Sequence, residues 1–400
     1  MYVSMSGMIS ALSTALDYVE SEVFGVTRHH SKRVAYMCVC MGREYGLSDE
    51  ILPELAGAAA MHDNALTEYI AGRRAAGDIS TDINGSELGV HAEMGERNME
   101  RTSFHEKVKG VVLYHHENAD GSGPFGKDSD HTPFFAQLIH LADQVDSHFD
   151  LRELDAGKYM TLETWLRDGE NTLFSEDIVR LFLDSCGYEE LTELQGEGAA
   201  EVIMKSLPEA ERDYSDAAIR RFGGLIASII DFKSEFTSRH SQGIAEKAEQ
   251  MGRFYGYSDE KVTKLYLAGA VHDIGKMAIP NAILEKPDKL TLEEFEVMKS
   301  HAMISYEMLS GLTDQTDVVN WACMHHEKLD GTGYPFGKTG AELDHEERLM
   351  GCIDIYQALT EERPYKAGMS HSKSLSIMRE MAANGAIDGE ITEDIDKCFG

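Results

Sequence analysis

The chain is written twice. Met41-Gly42-Arg43-Glu44-Tyr45-Gly46-Leu47-Ser48-Asp49-Glu50 returns 210 residues later as Met251-Gly252-Arg253-Phe254-Tyr255-Gly256-Tyr257-Ser258-Asp259-Glu260. At that offset His30 returns as His240, His62-Asp63 as His272-Asp273, His91 as His301, and His115-His116-Glu117 as His325-His326-Glu327. Gly121 to Lys127 answers Gly331 to Lys338 with one residue missing, after which Asp143 answers Asp354. Chance does not set seven ligand-type residues in register twice, so a tandem duplication is expected. Pro208 marks the boundary between a first copy over 1–207 and a second over 208–400.

Apolar residues in both copies recur at three- and four-residue steps, the period of a half-buried helix. Ile9, Leu12, Leu16, Val19 and Val23 set a helix within 1–29. The same period predicts helices over 31–45, 51–62, 87–101, 104–116 and 133–150, and one long helix over 213–237. Residues 157–205 carry further helical runs, broken by Gly169, Gly187 and the Gly196/Gly198 pair, and read as the tail of the first copy. Few stretches alternate with period two. The expected fold class is all-α, as two tandem helical bundles.

Charge narrows the partners. With 37 basic and 70 acidic residues the net charge is −33, which disfavours a nucleic-acid polymer or an anionic membrane face. An anionic substrate then has to be drawn in by local cations, either bound metal or a few placed Lys and Arg. Six cysteines occur without a CxxC, so reduced thiols are expected rather than a disulfide scaffold. No leader pattern opens the chain and no segment is apolar for 18 residues, so the expected location is cytoplasmic. The oligomeric state is open, a homodimer included.

The chemistry concentrates in the second copy. An apolar run (Val318, Val319, Trp321, Ala322, Met324) leads into His325-His326-Glu327-Lys328-Leu329-Asp330-Gly331-Thr332-Gly333-Tyr334-Pro335, where glycine and proline end the helix. A second apolar run ends in His272-Asp273-Ile274-Gly275-Lys276. His240, His272, Asp273, His301, His325, His326 and Asp354 thus fall on five predicted helices, all nitrogen or oxygen donors with no cysteine among them. Mixed imidazole and carboxylate suits iron, manganese, zinc or nickel rather than calcium or a thiolate zinc site. Seven ligands exceed the needs of one ion, so two ions sharing Asp273 are expected. Such a pair, about 3.5–4 Å apart, suits phosphoryl chemistry because it activates water and stabilises charge on entering and leaving oxygens. Lys276 is placed to neutralise a phosphate oxygen, with Arg363 and Lys366 as cations for a second phosphate or a base. Tyr334 either stacks on a base or packs the loop. Glu327 and Glu117 either orient a ligand histidine or face water, and Arg348 reads as paired with an acidic neighbour.

His240, HDIGK at 272–276, His301, HHEKLDGTGYP at 325–335, Asp354 in CIDIYQALT and RPYK at 363–366 resemble the HD-GYP family. That family is a branch of the HD metal-dependent phosphohydrolases, all-helical bacterial enzymes that open cyclic dinucleotides. The resemblance implies one metal at His240, His272, Asp273 and Asp354, and an added one at His301, His325 and His326. It implies phosphate contacts from Lys276, Arg363 and Lys366, with the 331–335 loop bordering the pocket. Some members hold a third metal through a Glu four residues before the first His. Phe236 stands there in this chain and Glu235 points elsewhere, so two metals are expected. The implied substrate is cyclic di-GMP or, for a duplicated chain, 3′,3′-cyclic GMP-AMP.

The first copy resembles the same family in eroded form. His30, His62, Asp63, His91, His115, His116 and Asp143 keep the ligand types of a vestigial metal site. Leu66 replaces Lys276, Asn64-Ala65 replaces the Ile-Gly before it, Tyr334-Pro335 shrinks to Pro124, and RPYK becomes Arg152-Glu153-Leu154-Asp155. A non-catalytic copy that packs on or regulates its twin is the expectation. Two rivals stand beside the diesterase: an HD-type hydrolase of mononucleotides, disfavoured by the HH and GYP elements, and a non-catalytic cyclic dinucleotide sensor, disfavoured by Lys276 and the complete ligand set.

Overall fold

A computed structural model describes residues 2–24, 29–76, 86–103, 105–196, 211–234, 239–310, 316–362 and 367–400. The chain divides into two compact units, one of residues 3–212 and one of 213–400 with Tyr2. Both are helical. The only strands among the described residues are two three-residue segments, β1 (Tyr2–Ser4) and β2 (Glu211–Asp213), which pair with each other. No described helix is long and apolar enough to cross a membrane, and all six cysteines are free thiols.

The first unit runs α1 (Met5–Phe24), α2 (His30–Tyr45), α3 (Leu52–Ala60), α4 (Leu66–Ala75), α5 (Ser86–Met99), α6 (Phe134–His148), α7 (Ala156–Asp168), α8 (Glu176–Ser185) and α9 (Tyr188–Thr192). The second runs α10 (Asp216–Phe232), α11 (His240–Phe254), α12 (Asp259–Val271), α13 (Asn281–Leu284), α14 (Leu292–Leu309), α15 (Thr316–Cys323), α16 (His345–Thr360), α17 (His371–Ala383) and α18 (Gly389–Phe399). In each unit the apolar faces meet in one core. Val34, Met37, Val39 and Met41 of α2 are fully buried in the first, as are Ile244, Leu265, Ala268, Ala270 and Val271 of α11 and α12 in the second.

Small residues set how close the site-bearing helices come. A Cβ on Gly269 of α12 would lie 2.8 Å from the Ala245 Cα of α11, so the two backbones touch and the first residue of α11 is drawn toward the end of α12. Neither α2 nor α11 begins on a residue that caps by itself, since His29 and Arg239 make no side-chain cap bond. A buried aspartate from the preceding helix caps each instead. Asp17 accepts from the Ser31 N–H at 2.8 Å, and Asp231 accepts from the Ser241 N–H at 2.9 Å and the Gln242 N–H at 3.3 Å. This fixes His30 and His240 as the first helical residues.

Two sequence expectations need correction. Of the helix expected over 104–116, the described residues 105–116 do not form a regular one: a short 3₁₀ turn at His105–Lys107 passes into successive turns, because Gly110 takes φ 77° and Glu96 captures the Gly110 and Leu113 N–H groups. The long helix over 213–237 is shorter, since Ser215 caps α10 at Asp216 and the helix closes at Phe232. Residues 235–238, with Glu235 and Phe236, lie outside the described residues.

Candidate metal centre

In the second unit five segments deliver the seven residues. His240 opens α11, His272 follows α12, and Asp273 leads into a 3₁₀ turn over Ile274–Ala278. His301 lies within α14, His325 and His326 follow α15, and Asp354 lies within α16. All are buried except His326, which is half-buried.

Local backbone sets the imidazole orientation. His272 Nδ1 lies 2.8 Å from the Gly269 carbonyl, His301 Nδ1 2.6 Å from that of Met298, and His325 Nδ1 2.7 Å from that of Ala322. Each ring donates Nδ1–H to the residue three earlier, which leaves Nε2 as the acceptor and aims it inward. Those three Nε2 atoms, and Asp273 Oδ1, are buried without a hydrogen bond among the described residues. Buried polar atoms left unpaired are costly, and imidazole nitrogens turned onto a carboxylate are what a divalent transition ion requires.

Asp273 stands between two groups. Its Oδ2 is 3.0 Å from His272 Nε2 and 3.8 Å from His240 Nε2. Its Oδ1 is 3.4 Å from His301 Nε2 and 3.8 Å from His325 Nε2. Ligand atoms of His240, His272 and Asp273 lie within 4.8 Å of one another, as do those of His301, His325 and His326. Asp354 joins both, with Oδ1 3.2 Å from His240 Nε2 and Oδ2 3.8 Å from His326 Nδ1.

Protonation follows the same logic. Burial, with the neighbouring imidazoles, holds His325 well below its ordinary value, and burial pushes His326 down to about 3. Burial acts against ionisation of Asp273 and Asp354, yet the surrounding histidines, joined at Asp273 by Lys276, keep both carboxyls well below the usual range. Neutral rings and ionised carboxylates are the ligand-competent forms. His240 differs: burial opposes its charge, but Asp354 and Glu361 win and raise it to about 9. Glu361 Oε2 sits 3.1 Å from His240 Nδ1.

The remaining sequence candidates are placed as follows. Lys276 Nζ donates to Asp273 Oδ2 at 2.5 Å, at the edge of the cluster. The Tyr334 ring packs on His326 with centroids 4.7 Å apart. Glu327 takes neither expected role: it accepts from the N–H groups of Phe336, Gly337 and Lys338 at 2.7, 3.0 and 3.0 Å and anchors the glycine-rich loop. Glu117 does the same for Phe125 and Lys127, both at 2.6 Å. Arg348 pairs with Asp388 at 3.0 Å. Arg363 and Lys366 lie outside the described residues.

The first unit repeats the cage. His30, His62 and Asp143 form one group within 4.8 Å, and Asp63, His91, His115 and His116 another. His62 and His115 again present buried Nε2 atoms without a hydrogen bond among the described residues, their Nδ1 atoms 2.8 and 2.6 Å from the Ala59 and Val112 carbonyls. Asp63 is 3.0 Å from His91 through Oδ1 and 3.7 Å from His62 through Oδ2. The surroundings differ. Leu66 is fully buried where Lys276 stands, and His30 Nδ1 meets Asp146 at 2.7 Å, a carboxylate shared with the buried Arg33.

A helical bundle that converges imidazoles and aspartates into paired clusters defines the HD class of metal-dependent phosphohydrolases. Residues 224–391 match the HD domain family model. The chain is 31% identical over 376 residues to 3′3′-cGAMP-specific phosphodiesterase 1 of Vibrio cholerae, an alignment covering 92% of this chain and 86% of that protein. It is 34% identical over 191 residues to a cyclic di-GMP phosphodiesterase of Pseudomonas aeruginosa, covering 47% and 46% of the two chains. The crystal structure of a cyclic GMP-AMP specific phosphodiesterase of V. cholerae (V-cGAP3) superposes with TM-score 0.69 at 24% identity, over 100% of this chain and 98% of that one. The chain belongs to the HD-GYP family of metal-dependent phosphodiesterases.

Proposed function

We propose that the second copy hydrolyses a cyclic dinucleotide, 3′,3′-cyclic GMP-AMP or cyclic di-GMP, to a linear dinucleotide with a 5′ phosphate. His240, His272, Asp273 and Asp354 would hold one divalent ion, and His301, His325 and His326 a second, with Asp273 facing both groups. Iron or manganese suits this donor set best, with nickel and zinc as alternatives. The two ions supply Lewis acidity and water activation at neutral pH. Asp273 and Asp354 enter ionised, and the Nε2 atoms of His272, His301 and His325 are held to acceptor duty by the carbonyls three residues back. Lys276 brings its ammonium to the edge of the cluster, where it meets a non-bridging phosphate oxygen as charge builds. Water adds to phosphorus in line, the bond to the 3′ oxygen breaks, and that oxygen takes a proton. Tyr334 braces His326, and Arg363 and Lys366 are assigned to the second phosphate or a base.

One observation carries the reading: the two oxygens of Asp273 face separate groups of histidines, in which the inward Nε2 atoms of His272, His301 and His325 are buried without a hydrogen bond among the described residues. The Vibrio relative named for 3′3′-cGAMP matches over 86% of its length, which favours that substrate. Chromatography of products from cyclic GMP-AMP, cyclic di-GMP and cyclic di-AMP, with added manganese or iron, tests reaction and base preference together. H272A and D273A are expected to abolish hydrolysis with the fold retained, and undiminished hydrolysis in both would remove the proposed centre. Release of inorganic phosphate from mononucleotides, with cyclic dinucleotides left intact, would favour the monoesterase.

For the first copy we infer a metal-holding unit without turnover that serves its twin in packing or regulation. Its clusters support retention of metal, and Leu66 removes the cation needed at the phosphate. Metal content of the full chain should fall by about two equivalents in H62A/D63A and again in H272A/D273A, with only the second pair abolishing activity. An unchanged metal content in H62A/D63A would refute this.

A further inference from the structure

The two copies serve as each other's control at a site beside the metal cluster. In the second unit a cavity of about 280 Å³ lies beneath the glycine-rich loop, walled by His326, Tyr334, Arg348, Gly351, Ile387 and Asp388. Its counterpart in the first unit holds only about 10 Å³. The backbone frame is the same. The Leu329 N–H bonds the Ala386 carbonyl at 3.1 Å, and the Ala119 N–H bonds that of Leu173 at 3.1 Å. Side chains make the difference. His140 stands where Gly351 does, its Nδ1 3.0 Å from the His115 carbonyl and its ring 5.5 Å from Phe174. A Cβ on Gly351 would meet the corresponding carbonyl, that of His325, at 3.1 Å. The absent side chain is therefore what keeps the space open.

The cavity is at the small end for ligand sites, sized for one ring system rather than a whole dinucleotide. It shares His326 and Tyr334 with the metal-facing cluster, its walls are mostly apolar, and Arg348 and Asp388 stand paired 3.0 Å apart at its rim. A guanidinium beside a carboxylate offers donors next to an acceptor. Guanine presents the complement, with O6 and N7 accepting and the amino edge donating. In the first unit the same two positions are Gln137 and Ser175, 3.2 Å apart, and carry no charge.

We propose that this cavity seats a guanine base of the substrate, that Gly351 keeps it open, and that Arg348 and Asp388 select guanine. The proposal rests on the cyclic dinucleotide reading and deepens it. Its variants come from the first copy, where an equivalent backbone already carries them: G351H, and R348Q/D388S. In the full chain, G351H is expected to raise KM for cyclic GMP-AMP and cyclic di-GMP at least tenfold with metal content unchanged. R348Q/D388S is expected to bring the kcat/KM ratio of guanine-containing substrates to cyclic di-AMP toward unity, and it carries the test should G351H fail to fold. Guanosine binding, followed by titration calorimetry against adenosine, is expected in the wild type and lost in G351H. Unchanged KM and unchanged base preference in an active enzyme would overturn the proposal while leaving the functional reading intact. Should the wild type cleave no cyclic dinucleotide, that reading fails, and guanosine binding alone then decides: binding lost in G351H keeps the base site, and no binding by the wild type ends it.

Discussion

Glu327→Ala is the most direct probe of how the loop supports the centre. The carboxylate is 8% exposed and holds three backbone N–H groups, from Phe336, Gly337 and Lys338. A hydrogen bond to a charged group contributes about 1.5–3 kcal/mol, so deletion of three forfeits roughly 5–9 kcal/mol before relaxation. The loop is partly open, with Phe336 45% exposed, so water replaces much of this and leaves a cost of about 3 kcal/mol. That energy now seats Tyr334 against His326, 4.7 Å between centroids. If the seated loop is required in the transition state, the loss converts to about a hundredfold fall in kcat/KM. Glu117→Ala breaks two equivalent bonds, at 2.6 Å each, in the copy proposed not to turn over. It is expected to lower stability comparably and leave kcat/KM within about twofold. The assay is steady-state hydrolysis at matched metal content, with circular dichroism to confirm folding. A Glu327→Ala enzyme within threefold of wild type, or a Glu117→Ala enzyme equally impaired, would refute the argument.

Lys276→Leu, the first copy's residue at that position, should keep its metal and lose about 10²–10³ in kcat; a loss under fivefold in a metal-replete enzyme would dismiss Lys276 from the reaction. Gly275→Ala puts a Cβ 2.1 Å from the His301 carbonyl oxygen and 2.7 Å from the Ser305 N–H nitrogen, so denaturant unfolding should show a loss of about 3 kcal/mol or more, and an unchanged midpoint would contradict that contact. His140 is pushed down to about 4 by burial, below its unfolded value of about 6.5. The unfolded chain therefore binds the extra proton between those values, and stability falls as pH drops from about 6.5 to 4 by an order of 3 kcal/mol. His140→Gln should flatten that limb in urea titrations of the full chain, and an identical acid limb would show that His140 is not its source.

The residues of the candidate centre were legible because the repeat fixes their register: a histidine pair that returns at the same offset as an HD pair and a lone aspartate is a pattern, not a composition. What encloses them was not legible. Glu327 bonds backbone groups nine to eleven residues downstream, and no side-chain code marks a backbone partner. The aspartates that cap α2 and α11 sit in the preceding helix, at spacings that do not share the 210-residue offset. The carboxylate holding Nδ1 of the first histidine comes from Asp146 in one copy and Glu361 in the other, positions that self-comparison does not pair. The turns over 105–116 carried a helical period, which Glu96 and Gly110 override through tertiary contact.

The divergence between the copies has a physical asymmetry. Half of the candidate ligand rings, those of His62, His115, His272, His301 and His325, are aimed by the carbonyl three residues back in their own turn, so their orientation does not depend on the side chains around them. The proposed charge at the phosphate and the proposed space for a base have no such redundancy: each rests on a single side chain, Lys276 in one case and the absent one of Gly351 in the other. The first copy lacks both, with Leu66 and His140 at those positions, and still closes its bundle around the corresponding imidazoles. On the proposed reading, metal retention and catalysis are separable in this chain, and the clearest differences between the copies lie in what surrounds the clusters, Leu66 for Lys276 and His140 for Gly351.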